Sequence, residues 1–178
     1  MSRLFDTLAL YGISAVLAVA FYYQLVLGEL PCPLCALQRV GFLVAGVGLM
    51  LNLRTGTSAA NYGLVLLTAV AAGSASLRQI ALHVVPGTGS YGSALFGMHF
   101  YTWAFVAYSA LIVYVGVMLF AVTAGRSVRA ARLNGFQVGA FGVFVALAAA
   151  DVIAFLLECG LGPCPDDPIG YLLLPGAP

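Results

Sequence analysis

The chain has 178 residues, 62% of them hydrophobic and only 7% charged, with a mean hydropathy of +1.05. A soluble domain of this length cannot enclose so much apolar surface, so the composition specifies a polytopic membrane protein. All seven cations are arginine and the net charge is +1, which leaves no basic patch for nucleic acid.

Taken in order, Thr7 to Gly28 is a run of 22 residues without a charge, between Asp6 and Glu29. It is close to the ~20 residues that cross a bilayer and predicts a first helix over 7–28. A signal peptide cut after Ala18-Val19-Ala20 is the other reading, but the apolar run continues through Phe21 to Leu27.

Next comes Pro31-Cys32-Pro33-Leu34-Cys35-Ala36-Leu37-Gln38-Arg39. Cys32 stands where a helix cap belongs, and Pro33 falls in the first turn, where proline is tolerated. Both sulfurs then lie near a helix N-terminus, whose free N–H groups and dipole favour a thiolate able to attack or leave in disulfide exchange. Cys35 and Arg39 are spaced i,i+4 and share a face, so the guanidinium can meet the thiolate or an acceptor bound beside it. The plainer reading, a structural disulfide in a loop, suits so small a ring less well than reversible exchange does.

The second helix is expected over 34–53, ending at Arg54 and the polar turn Thr55-Gly56-Thr57-Ser58, and the third over 59–82. Pro86 to Gly92 is a glycine-rich break that reads as a loop. The fourth helix, over 99–124, is entered through Phe100, Tyr101 and Trp103, an aromatic group suited to the membrane interface. The fifth runs over 134–158 and is followed by a cysteine-bearing segment, 159–178; the whole of 1–178 reads as one transmembrane domain. Gly41, Gly46, Gly48, Gly135 with Gly139, and Ala146 to Ala150 offer small surfaces for close helix approach. The apolar stretch Ile169 to Leu174 is too short to span and can lie on the outer surface or cover a ligand mouth.

Orientation follows from the arginines. With the N-terminus inside, Arg3, Arg54, Arg126, Arg129 and Arg132 fall on the cytoplasmic side and Glu29, Glu158, Asp166 and Asp167 outside, as the positive-inside bias expects. Arg39 and Arg78 are left at the outer ends of helices two and three, where an ionised group is costly and usually functional. They either face one pocket or snorkel to the headgroups. Five crossings bring Cys159 and Cys164 out on the face of Cys32 and Cys35. Gly160, Gly162 and Pro163 break the helix between them and let the chain turn, so that two disulfides on an oxidising surface are expected in preference to free thiols. Four thiolates around zinc would need the same convergence, without a second CxxC or a histidine to support it. Asp151 is expected to be the only acid at depth, either passing protons or held as a packed, hydrogen-bonded carboxylate.

The stretch PCPLCALQR between two membrane helices resembles the signature of the disulfide-bond formation protein B family, DsbB, membrane quinone reductases. The likeness extends more loosely over helices one to four, through Arg78 and through Leu95 to Trp103. It implies a four-helix bundle, to which this chain adds a fifth helix, in the inner membrane of a bacterium, drawing on the lipid-borne quinone pool. It implies that Cys32 and Cys35 are reoxidised by a bound ubiquinone or menaquinone, that Arg39 contacts this quinone, and that His83 is the nearest candidate for a family histidine beside it. The partner so implied is a DsbA-like periplasmic dithiol oxidase of thioredoxin fold. The family's usual second cysteine pair, in the loop between helices three and four, is missing. Cys159 and Cys164 are expected to replace it, passing electrons from the partner to Cys32 and Cys35. Two other classes stay open: a thiol–quinone reductase similar to vitamin K epoxide reductase, and a non-catalytic structural subunit.

Overall fold

The structure, a computed structural model, describes residues 2–85, 87–127, 129–162, 164–165 and 168–174. Pro86, Pro163, Asp166 and Asp167, on which parts of the sequence reading rest, lie outside them. The protein is all-helical: α1 (Ser2–Val26), α2 (Pro33–Thr55), α3 (Ala59–His83), α4 (Phe100–Thr123) and α5 (Gly135–Cys159), each long and apolar enough to cross a membrane. Two short strands not expected from the sequence, β1 (Ala94–Leu95) and β2 (Met98–His99), form a hairpin that leads into α4.

The helix limits follow local chemistry. The Ser58 hydroxyl caps α3 by accepting from the Asn61 N–H, and Asn134 opens α5 with a reciprocal capping box to Gln137. Gly160 closes α5 with φ of 62°, a conformation that glycine adopts without steric cost. The largest departure is at the N-terminus, where the helix starts at Ser2 and takes in Arg3 and Asp6. Both charges find partners there. Arg3 donates to the Ala131 carbonyl (3.1 Å) and to Gln137 (3.2 Å), and buried Asp6 accepts from the hydroxyls of Tyr62 and Tyr114. Asp151 is therefore not the only acid inside the helices.

Packing runs α5–α1–α2–α3–α4, with α5 also touching α2, whereas the backbones of α1 and α4 stay apart and the two helices meet through side chains, Asp6 with Tyr114 and Tyr23 edge-on to Phe100. Glycines set the close approaches. A side chain on Gly41 would strike Ala72 and Tyr108, one on Gly46 the Phe144 ring, and one on Gly48 Val65. Gly135 has no such neighbour, and Ala146, Ala149 and Ala150 face outward, so these do not serve as helix contacts. At one end of the bundle the α2–α3 turn bridges the α4–α5 loop through Gly56 and Arg129, beside Arg3. All four cysteines lie at the other end.

Candidate active site

At that end the chain leaves α1 through Gly28 at φ of 72° and turns into α2. Cys32 caps α2, its sulfur accepting from the Cys35 N–H at 3.3 Å, with Pro33 in the first turn. The sulfurs of Cys32 and Cys35 are 2.8 Å apart as free thiols. A disulfide needs about 2.05 Å, so closing the bond takes a movement of under roughly 1 Å. The expectation of two disulfides is met once: Cys159 and Cys164 are bonded, and Cys32 and Cys35 are not.

Both sulfurs are held by a residue the sequence reading passed over. Gln79 of α3, 1% exposed, donates through Nε2 to Cys32 (3.3 Å) and to Cys35 (3.4 Å), while its Oε1 accepts from Gln38 (2.8 Å). The signal was the buried stripe of α3, Tyr62, Val65, Ala69, Ala72 and Ser76, whose next step is Gln79. Arg78 points about 100° away. It is exposed and lies outside the cavity that Arg39 lines, so the two arginines do not meet in one pocket.

The gap between α1 and α4 holds a cavity of about 460 Å³. Its floor is Cys35, Gln38, Arg39 and Phe42 of α2, and its walls are mostly apolar, including Tyr23 of α1 and Phe100, Tyr101 and Trp103 of α4. Glu29 holds the loop at its edge, accepting from the N–H of Ser93 (3.0 Å) and from its hydroxyl. Cys35 lines this cavity and Cys32 does not. His83 is one ring removed: it stacks on Tyr101 with centroids 5.4 Å apart and bonds to the Gln79 carbonyl at 2.8 Å.

Arg39 ties the cavity to the rest of the bundle. Its guanidinium donates to Gln24, to the Ala20 carbonyl (3.3 Å) and to Asp151 (3.4 Å), and stands 5.6 Å from the Phe21 ring. Of its five N–H donors these bonds use three among the described residues, leaving two for a ligand. Gln24 in turn bonds the Tyr171 hydroxyl at 3.2 Å, drawing the C-terminal tail over the ends of α1 and α5. The tail doubles back along α5 through Leu172 and Leu173, away from the cavity mouth.

A chain with a CxxC capping a membrane helix, a polar clamp on its sulfurs and an arginine beside an apolar cavity has close sequence relatives. The profile described as "DsbB: Disulfide bond formation protein DsbB" matches residues 2–91, half of the chain. The chain belongs to the DsbB family. It is 47% identical over 77 residues to "Disulfide bond formation protein B" of Marinobacter nauticus, a match covering 41% of this chain and 46% of that one. Proteins of the same description from Azoarcus sp. (38% over 77 residues) and Chromobacterium violaceum (36% over 78) cover the same shares. The chain thus spans about half the length of the curated relatives it matches. No solved structure matches. The DsbB match takes in α1 to α3 with Cys32, Cys35, Arg39 and Gln79; α4, α5 and the Cys159–Cys164 disulfide lie beyond it.

Proposed function

We propose that this multi-pass membrane protein is a disulfide-generating oxidoreductase. It would accept two electrons from a periplasmic DsbA-like protein of thioredoxin fold and deliver them to a membrane quinone. The observation that carries the reading is that Cys35, one of two sulfurs 2.8 Å apart, lines an apolar cavity beside Arg39. The relatives' shared description as disulfide bond formation proteins supports it.

The cavity residues fit a quinone, whether ubiquinone or menaquinone. The aromatic and aliphatic walls suit a ring and its lipid tail, and the two remaining donors of Arg39 suit its polar oxygens. A quinone bound there supplies a two-electron, two-proton acceptor. Cys35 holds the sulfur that faces it, Cys32 and Gln79 stabilise the reduced pair, and Arg39 places positive charge where negative charge develops. The gap between α1 and α4 gives a route from the bilayer. Arg78 has no part in this site, and His83 acts through Tyr101.

Electrons enter through Cys159 and Cys164. Cys164 is half-buried and Cys159 only 3% exposed, so an incoming thiolate attacks Cys164 first. The arginine-rich end then faces the cytoplasm, and the cysteine end faces the periplasm across a bacterial inner membrane.

Quinone reduction by the purified protein, driven either by dithiothreitol or by a reduced thioredoxin-fold dithiol protein, tests this. Cys35→Ser should abolish turnover with both reductants. Replacing Cys159 and Cys164 with serine should spare the dithiothreitol reaction and lower the protein-driven one by orders of magnitude. Equal losses with both reductants would make the C-terminal disulfide structural. No quinone reduction in the wild type would leave a non-catalytic subunit.

A further inference from the structure

The last turn of α5 holds a buried acid with no part in the quinone cavity. Glu158 is 1% exposed, and its Oε2 is buried with no hydrogen-bond partner among the described residues. A buried carboxyl oxygen without a partner is costly. Asp151, two turns back on the same face, differs because Arg39 bonds it. Glu158 adjoins Cys159 of the disulfide, and the tail closes over it where the Leu172 N–H donates to its carbonyl at 3.3 Å. Among the described residues, the charged and titratable groups that act on it are Arg39 of α2, Cys32 at the cap of α2, and Asp151 of α5; Tyr171 of the tail, next to Leu172, is held on Gln24. Glu158 thus directly precedes one cysteine of the outer pair in the last turn of α5, and it lies within electrostatic reach of Cys32, the inner sulfur that does not line the cavity.

We propose that Glu158 carries the proton that moves when electrons pass from the Cys159–Cys164 pair to the Cys32–Cys35 pair; this rests on the relay proposed above. With the outer pair reduced and the inner pair oxidised, the Glu158 carboxylate takes the proton of the Cys159 thiol. The thiolate attacks Cys32. The Cys159–Cys32 bond forms, the Cys32–Cys35 bond breaks, and Cys35 leaves as a thiolate. Cys164 then loses its proton to water and attacks Cys159, which re-forms the outer disulfide and releases Cys32. Glu158 returns its proton to Cys32, where two sulfurs 2.8 Å apart share it. Two electrons and one proton reach the inner pair, and the other proton is in solvent.

The test uses the full chain, fully reduced and freed of reductant, then mixed with an excess of a short-chain soluble quinone. Acid quenching, alkylation and mass spectrometry read each pair separately, and loss of label at Cys159 and Cys164 after its loss at Cys32 and Cys35 gives the exchange rate. At pH 7, Glu158→Gln should slow that second phase by roughly 10²-fold. Glu158→Asp should recover part of it, and the gap should close toward pH 9, where the thiol ionises unaided. The wild-type phase should slow at least about twofold in deuterium oxide if the proton moves with the exchange. A Glu158→Gln rate equal to wild type, a deficit that stays constant with pH, or the absence of a solvent isotope effect would each overturn the proposal while leaving the relay intact. A wild-type outer pair that stays reduced once the inner pair is oxidised would overturn the relay itself.

Discussion

Arg39 of α2 and Asp151 of α5 meet at 3.4 Å with both side chains largely buried, at 12% and 5% exposure. The contact joins the helix that carries the CxxC to a helix that the family profile does not reach. Removing one member strands the other's charge, which costs about 3–5 kcal/mol, whereas replacing both removes the need for the pair. Arg39→Gln and Asp151→Asn should therefore each lower the melting temperature in detergent, and the double variant should lose less than the sum. Arg39→Gln should also raise the KM for quinone by about 2 kcal/mol, the value of a hydrogen bond to a charged group. Additive losses, or unchanged quinone kinetics, would dismiss the pairing or the ligand contact respectively.

Cys32 should be the nucleophile of the reduced protein. The hydrogen bond it shares with the Cys35 thiol, helped by the Cys35 N–H and the Gln79 amide and opposed by burial, lowers its pKa from the ordinary 9.0 to about 6. The folded value lies below the unfolded one, so the contribution of Cys32 itself grows from about pH 6 toward its ordinary 9.0 and is lost as pH falls through 6. Iodoacetamide should react with one fast thiol whose rate rises through a midpoint near pH 6. Cys35→Ala should move that midpoint strongly upward, and Gln79→Leu should do so less. A midpoint that neither change moves would mean that neither group stabilises the thiolate.

Gly46 fixes how closely α2 and α5 approach, because a methyl group there would enter the Phe144 ring. Gly46→Ala should cost about 1–3 kcal/mol through overpacking. Adding Phe144→Leu should recover part of this in thermal melts. Full additivity of the two changes would argue against that contact.

Asp6, Tyr62 and Tyr114 tie α1 to α3 and α4 at the end away from the cysteines, with hydroxyl-to-carboxyl distances of 2.6 to 3.2 Å. Asp6→Ala leaves two tyrosine hydroxyls without their acceptor and should destabilise by about 2–4 kcal/mol, against about 1–2 for Tyr114→Phe. Quinone reduction per folded molecule should stay unchanged. A selective loss of turnover would link this cluster to the chemistry.

A membrane-impermeant maleimide applied to intact inner-membrane vesicles of known orientation should reach reduced Cys164 only from the periplasmic face. Labelling from the cytoplasmic face alone would invert the proposed topology.

The sequence by itself determined the membrane class, five helices and the position of the CxxC at a helix start. Each of these depends on neighbours along the chain: an apolar run long enough to cross a bilayer, a cap followed by proline, a glycine break. It also placed Cys159 and Cys164 at the end that carries Cys32, because five crossings leave no alternative. What the chain order could not give is which polar side chains meet. Gln24, Gln38, Gln79 and Glu158 come from three helices besides α2 as well as α2 itself, and each sits on a stripe that periodicity marks as buried without naming the neighbour it faces. Arg78 and Gln79 are adjacent in sequence, yet the turn of α3 puts one outside and the other on two sulfurs. Likewise Asp6 read as a flanking charge until two tyrosines from α3 and α4 gave it partners inside the bundle. Only tertiary packing decided these, because a buried polar group is tolerated where another helix supplies its hydrogen bond, and that helix lies tens of residues away along the chain.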